Sequence, residues 1–212
     1  MRKQKTVLCL LLAMLLAFTA GCASPAKESP YHVTFDVKQV TLSDEVAQKL
    51  LPHATEAGGA VATPLEFDTP ADAAEYLNLE LAANDTLTEA QPEEKTQLSV
   101  YSHEETLLVA ILATSYELAD KAGHVDLTTT IMLDESDKPD VPSYQSAYNA
   151  ESGLLMTSYQ GKQVKAYLGA YESNADEAVA EFTKDDIIYT LRVVTDGSGD
   201  AVAQAKALVD RF

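Results

Sequence analysis

The chain has 212 residues, of which 46% are hydrophobic, and carries 15 basic against 33 acidic residues for a formal charge of −18. A balance this acidic repels phosphate backbones and anionic headgroups, which excludes nucleic acid as a partner. The acidic residues are spread along the chain, so the charge reads as a solvated surface and not as an interaction tail.

Arg2, Lys3 and Lys5 precede an apolar run from Val7 to Phe18. As a helix that run rises only ~18 Å against a bilayer core of ~30 Å, too short to span but matched to the apolar region of a secretory signal. It ends in Phe18-Thr19-Ala20-Gly21-Cys22. Small residues directly before a cysteine resemble the lipobox of bacterial lipoproteins, with Thr19 standing where that family usually has leucine. The resemblance implies diacylglycerol on the Cys22 thiol, cleavage before it, and a protein held by lipid on the extracytoplasmic face of the cell membrane. The competing expectation is an ordinary signal peptide cut near Ala20, with Cys22 incidental. Cys9, the other cysteine, lies in the segment removed, so the processed chain has no partner for an intramolecular disulfide and needs a packed core.

On this reading residues 1–21 are a signal peptide, 22–30 a tether rich in Pro and Ser, and 31–212 a single α+β domain with a minor break near 53–64. Losing Arg2, Lys3 and Lys5 leaves 12 basic against 33 acidic residues, a formal −21. A chain of that length buries roughly 70% of its unfolded surface, enough for a sizeable core.

Taken in order, Val33, Phe35 and Val37 alternate with polar residues and predict a strand. Ser43 is placed to cap a helix over 44–51, with acidic residues in its first turn and Pro52 beyond its end. Thr69, Pro70 and Asp72 make a helix start of the capping-box kind, and Ala73, Ala74, Tyr76 and Leu77 give that helix an apolar side. From Thr96 the period changes to two. Leu98 and Val100 predict one strand, and residues 107–118, apolar on both faces for half their length, predict a central one. Val125, Leu127, Thr129, Ile131 and Leu133 share one face of the next. Strands over 154–159 and 164–171 flank a turn at Gln160-Gly161-Lys162, and strands over 178–182 and 187–194 flank Lys184-Asp185-Asp186. A closing amphipathic helix over 201–211 presents Val202, Ala205, Leu208, Val209 and Phe212. The expected architecture is an antiparallel β-sheet of about six to eight strands, with a helix before it and an amphipathic C-terminal helix.

The chemistry-bearing residues form no catalytic or metal motif. His32, His53, His103 and His124 have no metal-ligand spacing. Asp196, Ser198 and Asp200 resemble the start of a calcium loop, but Ala201 and Ala207 occupy the positions that need Gly and Glu, so a turn with an acidic helix cap is expected. Asp134, Glu135, Asp137 and Asp140 read as a solvated loop. No nucleophile elbow or phosphate-cradling glycine loop is present, and no cofactor is expected. One strand stands out: Tyr167, Gly169 and Tyr171 share a face, and a glycine between aromatic rings can admit a ligand or another backbone. The competing expectation is that both tyrosines pack under a helix.

The segment Phe67-Asp68-Thr69-Pro70-Ala71-Asp72-Ala73-Ala74-Glu75-Tyr76-Leu77, followed by the strand-rich half and the closing helix, resembles an uncharacterised extracytoplasmic domain of bacterial lipoproteins, of a kind also found in anti-sigma-factor-like proteins. The resemblance covers residues 65–212 and implies a non-enzymatic binding or sensing module. The alternatives are a carrier sheltering lipid or another apolar ligand in a sheet-lined cavity and, third, a hydrolase. The expected partners are the membrane, through the anchor, and an envelope protein or an apolar ligand.

Overall fold

A computed structural model describes residues 35, 37–56, 63–83, 87, 95–118, 123–134, 154–171, 174–197 and 200–212. The expected signal peptide, Cys22, the tether, His32, Ser198 and the acidic residues Glu135, Asp137 and Asp140 lie outside the described residues. Tyr31–Phe212 form one compact unit.

The first helix, α1, spans Asp44–Leu50, with the Ser43 hydroxyl accepting from the Val46 N–H and Val46 and Leu50 buried. Pro52 then sits in a 3₁₀ turn, Leu51–His53. Two short strands follow, β1 at Thr55–Glu56 and β2 at Leu65–Phe67. The second helix, α2 at Pro70–Leu77, starts on the complete capping box of Thr69 and Asp72 and ends at Asn78, in the left-handed conformation.

Seven long strands make up the rest of the sheet: β3 Thr96–His103, β4 Thr106–Glu117, β5 Gly123–Met132, β6 Leu154–Gln160, β7 Lys165–Tyr171, β8 Asn174–Lys184 and β9 Ile187–Thr195. The last helix, α3 at Ala201–Val209, is capped by the Asp200 carboxylate accepting from the Ala203 N–H. The fold is therefore α+β, with an open, mostly antiparallel sheet of nine strands among the described residues, in the order β1-β3-β4-β5-β9-β8-β7-β6, and β2 paired to β3. Two meanders, β3–β4–β5 and β6–β7–β8–β9, join edge to edge where β5 pairs β9. Gly123 is required at that seam. Its φ is +129°, and a Cβ there would lie 1.9 Å from the Val194 carbonyl oxygen.

Strict alternation gives the sheet two unlike faces. Along one row, cross-strand partners are Tyr159, Ala166, Phe182, Tyr189, Thr129, Leu112 and Leu98. Apart from Thr129, a buried polar residue, these join Val46 and Leu50 of α1, Ala73 and Leu77 of α2, and Ala205, Leu208 and Val209 of α3 in the hydrophobic core, with Tyr159 at its margin. Phe212 clamps the end of α3, its ring 4.8 Å from Phe182 and 5.3 Å from Tyr189, centroid to centroid. Val109, Val179 and Ile188 point the other way and are buried outside this core. Among the described residues no helix is long and apolar enough to cross a membrane.

One expectation is corrected. Phe35 and Val37 lie in no strand. The Lys38 N–H bonds Asp186 in the β8–β9 turn, the Val40 N–H bonds the Met132 carbonyl at the end of β5, and the Gln39 side chain reaches the Leu133 carbonyl. The segment passes across strand ends, where it meets isolated acceptors and no ladder. It carries the chain from Phe35, against Tyr167, round to α1 in the core.

Candidate functional site

The face turned away from the core helices is built by the same strands. One residue along from the core row, the cross-strand partners are Ser158, Tyr167, Glu181, Thr190, Thr128, Ala113 and Gln97. Six strands thus deliver polar side chains in one line, and only Ala113 interrupts it. At its β3 end the face is open, with Gln97, Ala113 and Glu117 exposed. Its middle is closed: Glu181 is 3%, Thr190 3% and Thr130 5% exposed.

Glu181 is the unusual member. Carboxylates are almost never fully buried without a partner, yet Glu181 Oε1 has no hydrogen-bond partner among the described residues. The same holds for Thr190 Oγ1 and Thr130 Oγ1. Thr190 is directly opposite Glu181 on β9, and Thr130 is two residues along β5 from Thr128, which is opposite Thr190. Burial pushes the Glu181 carboxyl from 4.5 up to about 7. Low dielectric disfavours the charged form.

Tyr167, opposite Glu181 on β7, is half-buried. The Phe35 ring packs edge-on against it at 6.0 Å, and the Lys165 ammonium sits 5.4 Å from its ring centre. Gly169 is buried on the same face, between Val179 and Met156. Tyr171 continues the strand, and its side chain lies outside the described residues. Among the described residues no helix covers Tyr167 and Gly169: α3 packs against β7 on the side of Ala166 and Leu168, which point the other way.

Beyond this patch the face turns ionic. The Arg192 Nε donates to Glu177 at 2.7 Å and its Nη1 to Asp126 at 3.0 Å. Burial works against the Arg192 charge, but these two carboxylates more than offset it and raise its pKa. Three strands close this network, and its cation is already satisfied.

The other sequence candidates scatter. His103 lies 3.6 Å from Glu56 and 3.8 Å from Glu104, and His124 lies 3.7 Å from Asp126. Among the described residues no three His, Cys, Asp or Glu side chains group as a metal site. Asp200 serves as the α3 cap. A polar cleft of about 280 Å³ near the α3 end is lined by Glu80, Lys184, Asp185 and Arg211, and the Lys184 ammonium there already donates to the Phe212 carbonyl.

Sequence reasoning missed Glu181, Thr190 and Thr130. A signal was present: Glu181 is the one charged residue in Ala178-Val179-Ala180-Glu181-Phe182, a run apolar on both faces. Compared with known proteins, the chain matches no family model, no curated protein and no solved structure.

Proposed function

We propose that the protein is a lipid-anchored extracytoplasmic lipoprotein whose α+β domain is a non-catalytic binding or sensing module. Its recognition surface is the sheet face turned away from α1, α2 and α3, around Tyr167, Gly169 and Tyr171, together with Glu181 and its threonines. The observation that carries this reading is the set of buried polar atoms on Glu181, Thr190 and Thr130 that have no hydrogen-bond partner among the described residues. Buried polar groups are normally hydrogen-bonded, and a group left without a partner costs about 1–3 kcal/mol. A fold bears such a cost where a partner from outside can offset it. Tyrosine beside the patch suits recognition, because it offers a large contact area with few rotors and a polar tip. The polar row favours hydrogen-bonded recognition over the shelter of an apolar ligand.

Anchoring rests on the residues before Cys22. Two acyl chains hold a protein stably at a membrane where one does not. Metabolic labelling with a fatty-acid probe tests it: the wild type is labelled and Cys22→Ser is not, whereas equal labelling of both overturns the anchor. Tyr167→Ala tests the face. The expected result is lost binding of the envelope partner or ligand with little change in melting temperature. A large fall in melting temperature returns Tyr167 to a purely structural role.

A further inference from the structure

The cleft at the end of α3 shares no residue with the sheet face around Tyr167, and four charged side chains line it: Lys184, Arg211, Glu80 and Asp185. Three parts of the chain bring them together, namely the segment after α2, the β8–β9 turn and the residues after α3. The charges fall into two poles. The Lys184 ammonium donates to the carbonyl of Phe212, the neighbour of Arg211 in the chain, so the cations meet where α3 ends. The acids meet at Tyr189. Its hydroxyl accepts from the Ala82 N–H at 3.1 Å, two residues beyond Glu80. Burial pushes the Tyr189 phenol up to about 12; the Ala82 N–H opposes the rise and the charge of Asp185 adds to it, which places Asp185 by the same hydroxyl. Among the described residues none of the four is ion-paired, although they share a cleft of about 280 Å³.

We infer that this cleft binds a small zwitterion, its carboxylate on Arg211 and Lys184 and its ammonium on Glu80 and Asp185, the chemistry of a free amino acid or a short peptide. The guanidinium fork matches a carboxylate with two parallel N–H bonds. An ammonium carries three N–H donors, so Lys184 keeps donors beyond the one given to Phe212. A simple cation satisfies the acids and is repelled by Lys184 and Arg211, and a simple anion meets the reverse; a ligand with both charges satisfies both poles. It also carries no net charge, so the formal −21 over residues 22–212 does not turn it away. Ligand pockets run from roughly 300 to 1,000 Å³, and a cleft of about 280 Å³ suits a small ligand. Glu80, Asp185 and Arg211 are exposed, so the ligand reaches them directly from solvent.

The test is calorimetric titration of the full lipoprotein in detergent micelles, at physiological ionic strength so that diffuse attraction between charges is screened. The probes are L-alanine and L-alanyl-L-alanine, which separate a free amino acid from a peptide. L-Alaninamide and N-acetyl-L-alanine are the counterparts that each lack one charge. The wild type binds at least one zwitterion saturably at one site, and binds both counterparts about tenfold more weakly or not at all, the scale of one lost charge-assisted hydrogen bond. Arg211→Gln and Asp185→Asn each weaken zwitterion binding by a similar factor; asparagine tolerates the φ of +54° at position 185. Glu45→Gln, on an exposed carboxylate of α1, and Tyr167→Ala leave it unchanged. Melting curves establish that the variants fold, and the counterparts test the wild type by itself. Absence of zwitterion binding in the wild type overturns the inference, as does equal binding of either counterpart or unchanged affinity in both Arg211→Gln and Asp185→Asn. Loss of zwitterion binding in Tyr167→Ala at unchanged stability also overturns it, by moving the site to the sheet face. The sheet-face reading is judged separately, by whether Tyr167→Ala loses its own partner.

Discussion

Two rows of the sheet, one residue apart in register, are built from the same strands and have opposite character. On the core side, several polar groups have partners within the fold. Thr96 and Thr114 share a hydrogen bond of 2.9 Å, the Tyr189 hydroxyl accepts from the Ala82 N–H at 3.1 Å, and the Tyr159 hydroxyl donates to Asp210 at 3.0 Å. On the side turned away from α1, α2 and α3, Glu181, Thr190 and Thr130 are deeply buried and have none among the described residues. Threonine occurs on both faces, so residue type does not explain the contrast. The other face holds hydrogen-bonding capacity in reserve, and that reserve is where recognition by an outside group is best supported.

Substitutions can break this comparison or sharpen it. Phe182→Ala removes a fully buried ring stacked at 5.6 Å on Tyr189, and should destabilise the domain by about 3–5 kcal/mol in urea unfolding. Tyr167→Ala, on a half-buried ring of the other face, should cost far less. A similar loss for both would erase the distinction between the faces. Thr114→Val leaves the Thr96 hydroxyl buried and unpaired, which should cost about 1–3 kcal/mol. Thr130→Val instead removes a hydroxyl that is already unpaired, and should be neutral or slightly stabilising by the same measurement. If Thr130→Val destabilised as much as Thr114→Val, the Thr130 hydroxyl would have to be bonded in solution.

Much of this architecture was legible in the sequence because it rests on local signals. The Thr69–Asp72 capping box, the Ser43 and Asp200 caps and the alternation of β3 to β9 each lie within a few residues of chain. The turn at Lys184-Asp185-Asp186 was legible as a cluster of polar residues, and in the structure Asp185 and Asp186 both take positive φ. Strands β1 and β2 were not legible, because two and three residues carry no period and their pairing is decided by β3. The strand expected at Phe35 and Val37 failed for the opposite reason: the alternation is present, but the segment meets only strand ends. Of the site, Tyr167 and Gly169 were legible from alternation alone. Glu181 was not singled out, since its neighbours Thr190 and Tyr167 come from the strands on either side of it and its burial depends on strand order. The Asp126–Arg192–Glu177 network was hidden for the same reason.

The measurement that bears most directly on the account is the pH dependence of unfolding for the wild type and Glu181→Gln. The Glu181 carboxyl binds its proton more tightly folded, at about 7, than at its ordinary 4.5. Between those values the unfolded chain binds fewer protons than the folded one, so stability falls as pH rises. The Glu181 contribution is fully present below pH 4.5 and lost as the pH passes 7. Relative to Glu181→Gln, whose amide does not titrate, the wild type should lose about 2–3 kcal/mol of urea stability between pH 5 and pH 8. Parallel profiles for the two proteins would contradict the account, because they would mean that Glu181 is solvated or already paired and that the face turned away from α1, α2 and α3 holds nothing in reserve.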